Sequence, residues 1–171
     1  MEIIKEKAVC FTGHRPETFC QTIGLDGPAI KMIKSMLYYQ IQLAIDDGYE
    51  YFISGVARGV DIWAANYVIE LKRKYPRLKL ICAKPFLEHS KGFRGSELYD
   101  LNNILKKSDD VVCVSEHYSR GCYMRRNRFM VDNASRLIAV VGNYQSGTGQ
   151  TINYAYKQGI DIRTINVKDY I

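Results

Sequence analysis

The chain has 171 residues, of which 47% are hydrophobic, and is long enough to form one globular domain with a substantial core. Its net charge of +6, without a long run of like charges, fits a pocket for phosphorylated small molecules or a mildly basic surface, and does not indicate a nucleic-acid tail. Five cysteines without a Cys-x-x-Cys pair argue against a disulfide framework. With no apolar signal core and no bilayer-length segment, we expect a cytoplasmic protein that has no membrane partner.

Apolar runs that alternate with helical patterns define the predicted elements. Apolar residues recur at spacings of three and four in the helical segments, as at Ile30, Ile33, Leu37 and Ile41. The predicted strands cover residues 8–11, 51–53, 78–83, 110–114, 137–141 and 161–165. The predicted helices cover residues 28–47, 61–74, 96–107, 122–134 and 148–157. Because each helix returns the chain across the sheet, the strands are expected to be parallel. We predict a single α/β domain over residues 1–171, a three-layer Rossmann-like fold with a mostly parallel sheet of about six strands.

Three polar, glycine-containing turns follow predicted strands. In parallel sheets, ligands bind beyond the carboxyl ends of the strands, near the point where the strand order reverses. The third turn also opens a helix, and the free N–H groups and positive dipole end of a helix N-terminus suit a phosphate. Ser146 or Thr148 in that turn would serve equally well as an ordinary N-cap. The turns contain Thr12-Gly13-His14-Arg15, Ser54-Gly55-Val56-Ala57-Arg58-Gly59 and Ser146-Gly147-Thr148.

Other polar residues have two interpretations each. His14 is either a ligand contact or acid–base group, or a loop histidine bonded to local backbone. Asp61 accepts from a ribose hydroxyl or, as we favour, caps the following helix. The loop at residues 85–95 is either a lid, with Phe86 or Phe93 against a base, or an ordinary surface loop. No metal-ligand cluster, GxxxxGK[ST] loop or GxGxxG fingerprint is present.

The three turns together resemble a known family. The blocks that carry the resemblance are Phe11-Thr12-Gly13-His14-Arg15-Pro16, Ser54-Gly55-Val56-Ala57-Arg58-Gly59-Val60-Asp61 and Ser146-Gly147-Thr148. They are similar to those of the YpsA-like proteins, a branch of the SLOG superfamily that also holds DprA/Smf and the Lonely Guy cytokinin-activating enzymes. The resemblance covers nearly the whole chain. It implies a Rossmann-like sheet and a pocket for nucleotides or nucleotide-derived ligands, without a single activity.

One departure from the Lonely Guy enzymes bears on the reaction. Those enzymes remove ribose phosphate from a nucleoside monophosphate, and their motif is Pro-Gly-Gly-x-Gly-Thr-x-x-Glu with a basic residue on the preceding helix. Here Gly147-Thr148 matches the Gly-Thr, and Arg128 lies roughly where the basic residue falls, but Thr151 takes the place of the Glu. A threonine cannot supply the carboxylate that would stabilise an oxocarbenium ion or transfer protons. The resemblance therefore favours phosphate binding over phosphoribohydrolase activity.

We expect the protein to bind a nucleoside monophosphate, ADP-ribose or an NAD-like ligand as a sensor or sequestering module. It should need no metal and no cofactor besides this nucleotide-type ligand. The first alternative is cleavage of an N-glycosidic bond, with the carboxylate supplied by Glu17, Asp61 or Glu88. The second, less expected, is single-stranded DNA binding as in the DprA relatives. Exposed Tyr and Leu positions also fit a homo-oligomer. The residues expected to contact the ligand are Thr12, Gly13, His14, Arg15, Ser54, Gly55, Arg58, Asn127, Arg128, Ser146, Gly147 and Thr148.

Overall fold

A computed structural model describes the whole chain, Met1–Ile171, with six β-strands and six α-helices. The strands are β1 (Ala8–Gly13), β2 (Tyr51–Ser54), β3 (Lys79–Lys84), β4 (Asp110–Cys113), β5 (Arg136–Val141) and β6 (Asp161–Asn166). The helices are α1 (Pro16–Thr22), α2 (Pro28–Asp46), α3 (Val60–Lys72), α4 (Gly95–Lys107), α5 (Cys122–Asp132) and α6 (Gly147–Gln158). None of these helices combines the length and the apolar composition that a membrane-spanning segment requires.

All strands are parallel and pair in the order β4-β3-β2-β1-β5-β6. The chain builds outward from β1 to β4 and then returns to the other side of β1 to add β5 and β6. The strand order therefore reverses between β1 and β5, whose carboxyl ends are in register at Gly13 and Val140. Loops that leave neighbouring strands toward opposite faces leave a crevice between them, which is where such sheets bind ligands.

Alternating residues of each strand supply two separate cores. Val9 and Phe11 belong to a larger core of 27 buried residues, which the sheet shares with α1 to α4. Ala8 and Cys10 belong to a smaller core of 11 buried residues, shared with α5 and α6. The period-two alternation of the strands thus produces the three layers.

The predicted three-layer α/β fold with a parallel sheet is confirmed, and the bounds of the predicted elements differ from the observed ones by no more than two residues. The prediction lacked α1. Pro16 starts this helix, but its seven residues contain Phe19 as the only buried one, so no apolar period is visible. Phe19 packs against Trp63 with ring centroids 5.4 Å apart, which fixes α1 beside α3.

Candidate functional site

A cavity of about 460 Å³ lies at the carboxyl ends of β1 and β5, where the strand order reverses. Its walls come from the end of β1, from α1, from the segment between β2 and α3, from α5 and from the start of α6. Distant parts of the chain therefore meet at one edge of the sheet. Eight of the twelve residues expected from the sequence line this cavity, namely Thr12, Gly13, His14, Arg15, Asn127, Ser146, Gly147 and Thr148.

The N-terminus of α6 presents unpaired donors to the cavity. Ser146 caps the helix, because its Oγ accepts a hydrogen bond from the Gly149 N–H at 3.3 Å. The N–H groups of Gly147 and Thr148 have no partner in the protein. A Cβ at position 149 would lie 1.8 Å from the Tyr144 carbonyl oxygen, so only glycine fits there. Two amides, the Thr148 hydroxyl and the positive end of the helix dipole are available to an anion.

His14 connects the turn after β1 to the turn after β5. Its Nε2 accepts hydrogen bonds from the Gly142 N–H at 2.8 Å and the Asn143 N–H at 3.2 Å. The proton of the neutral ring is therefore on Nδ1, which lies 3.5 Å from Thr148 Oγ1. Burial lowers the pKa of His14, which favours this neutral form. Its partners within the protein lie far along the chain and not in the local backbone, so His14 connects the cavity walls while its side chain also lines the cavity.

Gly13 allows α3 to approach the end of β1. A Cβ on Gly13 would lie 2.4 Å from the Cβ of Val60, the first residue of α3. Because two carbon atoms cannot come this close, position 13 must be small while α3 keeps its place. The contact brings Asp61, the next residue, to the wall of the cavity.

Arg15 lies in the cavity wall without a carboxylate partner. Its guanidinium carbon is 5.2 Å from the centre of the Tyr123 ring, a cation–π contact that leaves the charge unneutralised. The sequence indicated Arg15 but could not show whether a surface ion pair would occupy it. The observed contact keeps the guanidinium available to an anionic ligand.

Arg126 is a further cation at the cavity, and it was not among the expected residues. It is only 3% exposed, its Nη1 donates to the Gly55 carbonyl, and its Nε donates to Asn127 Oδ1 at 2.9 Å. Burial lowers the pKa of Arg126, but a guanidinium stays charged in a protein. The sequence did contain a signal, since Cys122, Arg126 and Met130 follow each other at a spacing of four on the buried face of α5.

Asp61 supplies a buried carboxylate, 6% exposed, to the same cavity. Its Oδ2 accepts from the Ala57 N–H at 3.3 Å, and its Oδ1 has no partner. Burial raises the pKa of Asp61 to about 6, against the opposing effect of Arg126. Helix capping was the favoured interpretation of Asp61, but no side chain caps α3. A Cβ on Gly55 would lie 2.8 Å from Asp61 Oδ2 and 2.9 Å from Arg126 Nη1, so Gly55 permits the approach of both groups.

Four of the expected residues do not line the cavity, and two of them shape the turn after β2. Ser54 is fully buried; its Oγ donates to the Asp61 carbonyl at 2.8 Å and accepts from the Val56 N–H at 3.1 Å. Gly55 uses its carbonyl for Arg126. Both residues lie at the strand end, as expected, but they act on the cavity through their neighbours.

The other two are arginines that have partners elsewhere. Arg58 forms ion pairs with Glu17 and, at 2.7 Å, with Glu97. Arg128 packs over Tyr154, with its guanidinium carbon 5.3 Å from the ring centre. The sequence placed both near strand ends, but the direction of a side chain on its helix or loop depends on packing that a strand-end argument does not include.

The three candidate carboxylates also differ in whether they line the cavity and whether they are paired. Glu17 lines the cavity but is paired with Arg58, and Glu88 is exposed outside it. Thr151 is buried, and its hydroxyl donates to the Gly147 carbonyl at 3.0 Å. Among the three candidates, Asp61 is the buried carboxylate of the cavity.

Comparison with known proteins identifies the family of the chain and a structure with the same fold. The model of the YspA SLOG family matches residues 9–170, which include every segment that lines the cavity. UPF0398 proteins of Bacillus thuringiensis (strain Al Hakam) and Bacillus cereus (strain AH187) are each 29% identical over 157 residues, 89% of this chain and 83% of the relative. DNA processing protein A from Helicobacter pylori, solved for its single-stranded DNA binding mode, shares the fold with a TM-score of 0.65 and 16% identity. That match covers 96% of this chain and 71% of the other. The chain belongs to the YspA SLOG family.

Proposed function

We propose that the cavity binds a nucleotide or nucleotide-derived small molecule, such as a nucleoside monophosphate, ADP-ribose or an NAD-like ligand, and that the protein acts as a sensor or sequestering module. The observation that carries the proposal is the combination of a free helix N-terminus with two guanidinium groups that form no ion pair. Gly147 and Thr148 offer amides, and Arg15 and Arg126 offer charge.

The charge balance favours an anion. Arg58 is neutralised by carboxylates, whereas Arg15 and Arg126 are not, and Asp61 is the only buried carboxylate opposite them. A buried charge without a direct partner is costly, and a bound phosphate would compensate it. Arg side chains and helix N-termini bind phosphate through short, charge-assisted hydrogen bonds.

Asp61 suits the sugar of such a ligand. Its Oδ1 is buried without a hydrogen-bond partner and belongs to a side chain of the cavity wall. A ribose hydroxyl would satisfy this acceptor, as acidic residues do in other Rossmann-like folds. Phosphate on α6 and ribose at Asp61 would therefore both lie in the same cavity.

Isothermal titration calorimetry tests the proposal. Adenosine 5′-monophosphate, ADP-ribose and NAD are titrated into the wild type, into Arg15→Ala and into Arg128→Ala. We expect at least one ligand to bind. Because hydrogen bonds to charged groups contribute about 1.5–3 kcal/mol, the Arg15→Ala affinity should fall about tenfold or more. Arg128→Ala is the matched control, because Arg128 packs on Tyr154 outside the cavity. Absence of heat with all three ligands, or equal losses in both variants, would refute the proposal.

A second candidate function is cleavage of an N-glycosidic bond, which the position of Asp61 favours. A carboxyl group with a pKa of about 6 can donate or accept a proton near neutral pH. Chromatography after incubation with each nucleotide separates the two functions, since released base indicates an enzyme and intact ligand indicates a sensor. Release that persists in Asp61→Asn would exclude this carboxylate from the reaction.

Single-stranded DNA binding is the third candidate, favoured by the shared fold with the Helicobacter pylori protein. The net charge of +6 is compatible with it. Fluorescence anisotropy with a labelled oligothymidine at two salt concentrations tests it, because phosphate contacts make affinity fall steeply with salt. Lack of binding at low salt would remove this function.

The proposal also includes the number of domains, the location of the protein, its cofactor requirement and its oligomeric state. We infer one domain in the cytoplasm, without a required cofactor or metal. A homo-oligomer is also proposed, because Tyr99 and Tyr156 are largely exposed on α4 and α6. Light scattering coupled to gel filtration measures the number of subunits.

A further inference from the structure

A second cavity of about 120 Å³ adjoins the first. The two cavities share Arg15, Ala57 and Tyr123 in their walls, so they meet directly at these residues. The second cavity also contains His89 and Phe93 from the segment between β3 and α4. A ligand seated on α6 would therefore lie beside this separate space, with Arg15 between the two cavities.

Three aromatic side chains, those of His89, Phe93 and Tyr123, line this second cavity together with Arg15 and Arg58. His89 packs edge-to-face on Phe93, with ring centroids 5.1 Å apart, and on Phe86, at 5.9 Å. Phe86 in turn contacts Tyr123 at 6.1 Å. Rings that support each other in this way present rigid, flat surfaces, which suit the face of a planar heterocycle.

His89 adds a polar group that the fold leaves unsatisfied. Its side chain is 7% exposed, and its Nδ1 is buried without a hydrogen-bond partner. Burial lowers the pKa of His89 to about 4, so the ring is neutral near pH 7 and has one donor and one acceptor. The edge of a nucleobase carries the same two kinds of group. A buried polar atom without a partner is costly, and a hydrogen bond to the edge of a base would remove that cost.

The second cavity is less suited to phosphate than the first. Arg58, the arginine that belongs to this cavity alone, is paired with two carboxylates, and Arg15 is shared with the first cavity. We propose that it is the base subsite: the heterocycle packs against Phe93 and Tyr123 with its edge at His89, while the phosphate lies at the start of α6. This inference rests on the proposed nucleotide function and adds where the base binds.

The experiment compares ligands with and without a base. Adenosine 5′-monophosphate, uridine 5′-monophosphate and ribose 5-phosphate are titrated calorimetrically into the wild type and into His89→Leu, Phe93→Ala and His117→Leu. The wild type should bind one of the nucleotides about tenfold or more tightly than ribose 5-phosphate, because each base stacked on an aromatic ring adds to affinity. His89→Leu and Phe93→Ala should lose this preference and keep their affinity for ribose 5-phosphate. His117→Leu is the control, because His117 is exposed outside both cavities.

The outcomes separate this inference from the proposed function. Equal affinity for the nucleotides and ribose 5-phosphate would overturn the base subsite and leave the phosphate site intact. If none of the three ligands binds, the base subsite is overturned, whereas the proposed function fails only if ADP-ribose and NAD also give no heat. Should the two variants not fold, saturation-transfer NMR on the wild type decides, because base protons should receive more saturation than ribose protons. The reverse order would place the base in solvent and overturn the inference.

Discussion

Gly149→Ala should destabilise the protein and disrupt the start of α6. The added Cβ would lie 1.8 Å from the Tyr144 carbonyl oxygen and 2.4 Å from its carbonyl carbon, and backbone atoms cannot rotate away. Overpacking of this kind costs about 1–3 kcal/mol, and the upper end applies here because the turn must move. For a chain of this length we expect Tm to fall by roughly 6–12 °C. Urea denaturation and a thermal scan measure the change.

Gly147→Ala is the matched control, two residues earlier in the same turn. A Cβ there meets nothing within 4 Å, and the backbone has no left-handed conformation. Replacing glycine by alanine at such a position stabilises by about 0.4–1 kcal/mol, mainly by restricting the unfolded chain. If Gly149→Ala and Gly147→Ala are equally stable, the turn before α6 has a different conformation. That result would refute the argument that the start of α6 is a rigid anion-binding site.

Three further predictions concern the cavity. His14→Gln should be less stable than the wild type near pH 8. In the wild type, part of the free energy of unfolding is lost as pH falls from about 6.5 through the lowered pKa of His14, because only the neutral ring accepts from Gly142. His14→Gln should not show this part of the loss. Urea curves between pH 8 and 5 that give both proteins the same dependence of this free energy on pH would contradict the prediction. Asp61 has the opposite sign. Its raised pKa gives stability that is complete below pH 3.8 and lost as pH rises through about 6, so Asp61→Asn should gain about 3 kcal/mol relative to the wild type between these values, measured in the same titrations. Gly13→Ala should destabilise through its overlap with the Val60 side chain, and Val60→Gly, which removes the Cβ at 2.4 Å, should restore part of the loss in a double-mutant cycle; additive effects would exclude that contact.

The fold was predictable because its signals are local and repeated. Short apolar runs identified each strand, apolar spacings of three and four identified five helices, and the alternation of strands and helices implied the parallel sheet. The helix α1 was not predicted, because a single buried aromatic residue among seven gives no apolar periodicity. Its position is set by contact with Trp63, which the sequence does not display.

The candidate site was predictable at the level of backbone segments. The turns that contain Gly13 and Ser146 meet because parallel strands end at one edge, which follows from topology alone. The directions of Arg58 and Arg128 were not predictable, because their partners lie on other elements. The inward direction of Arg126 did have a signal, the spacing of four that it shares with Cys122 and Met130.

The two cores described above are unequal, and the cavity crosses from one to the other. Arg126 and the start of α6 belong to the layer of α5 and α6, here called the thin layer, whose core has 11 buried residues. Arg15 and Asp61 belong to the layer of α1 to α4, here called the thick layer, whose core has 27. The thin layer should open first in native-state hydrogen exchange, because less apolar surface holds it to the sheet. A ligand that contacts both layers would hold them together at this edge of the sheet. It should therefore slow hydrogen exchange in α5 and α6 more than in any other element.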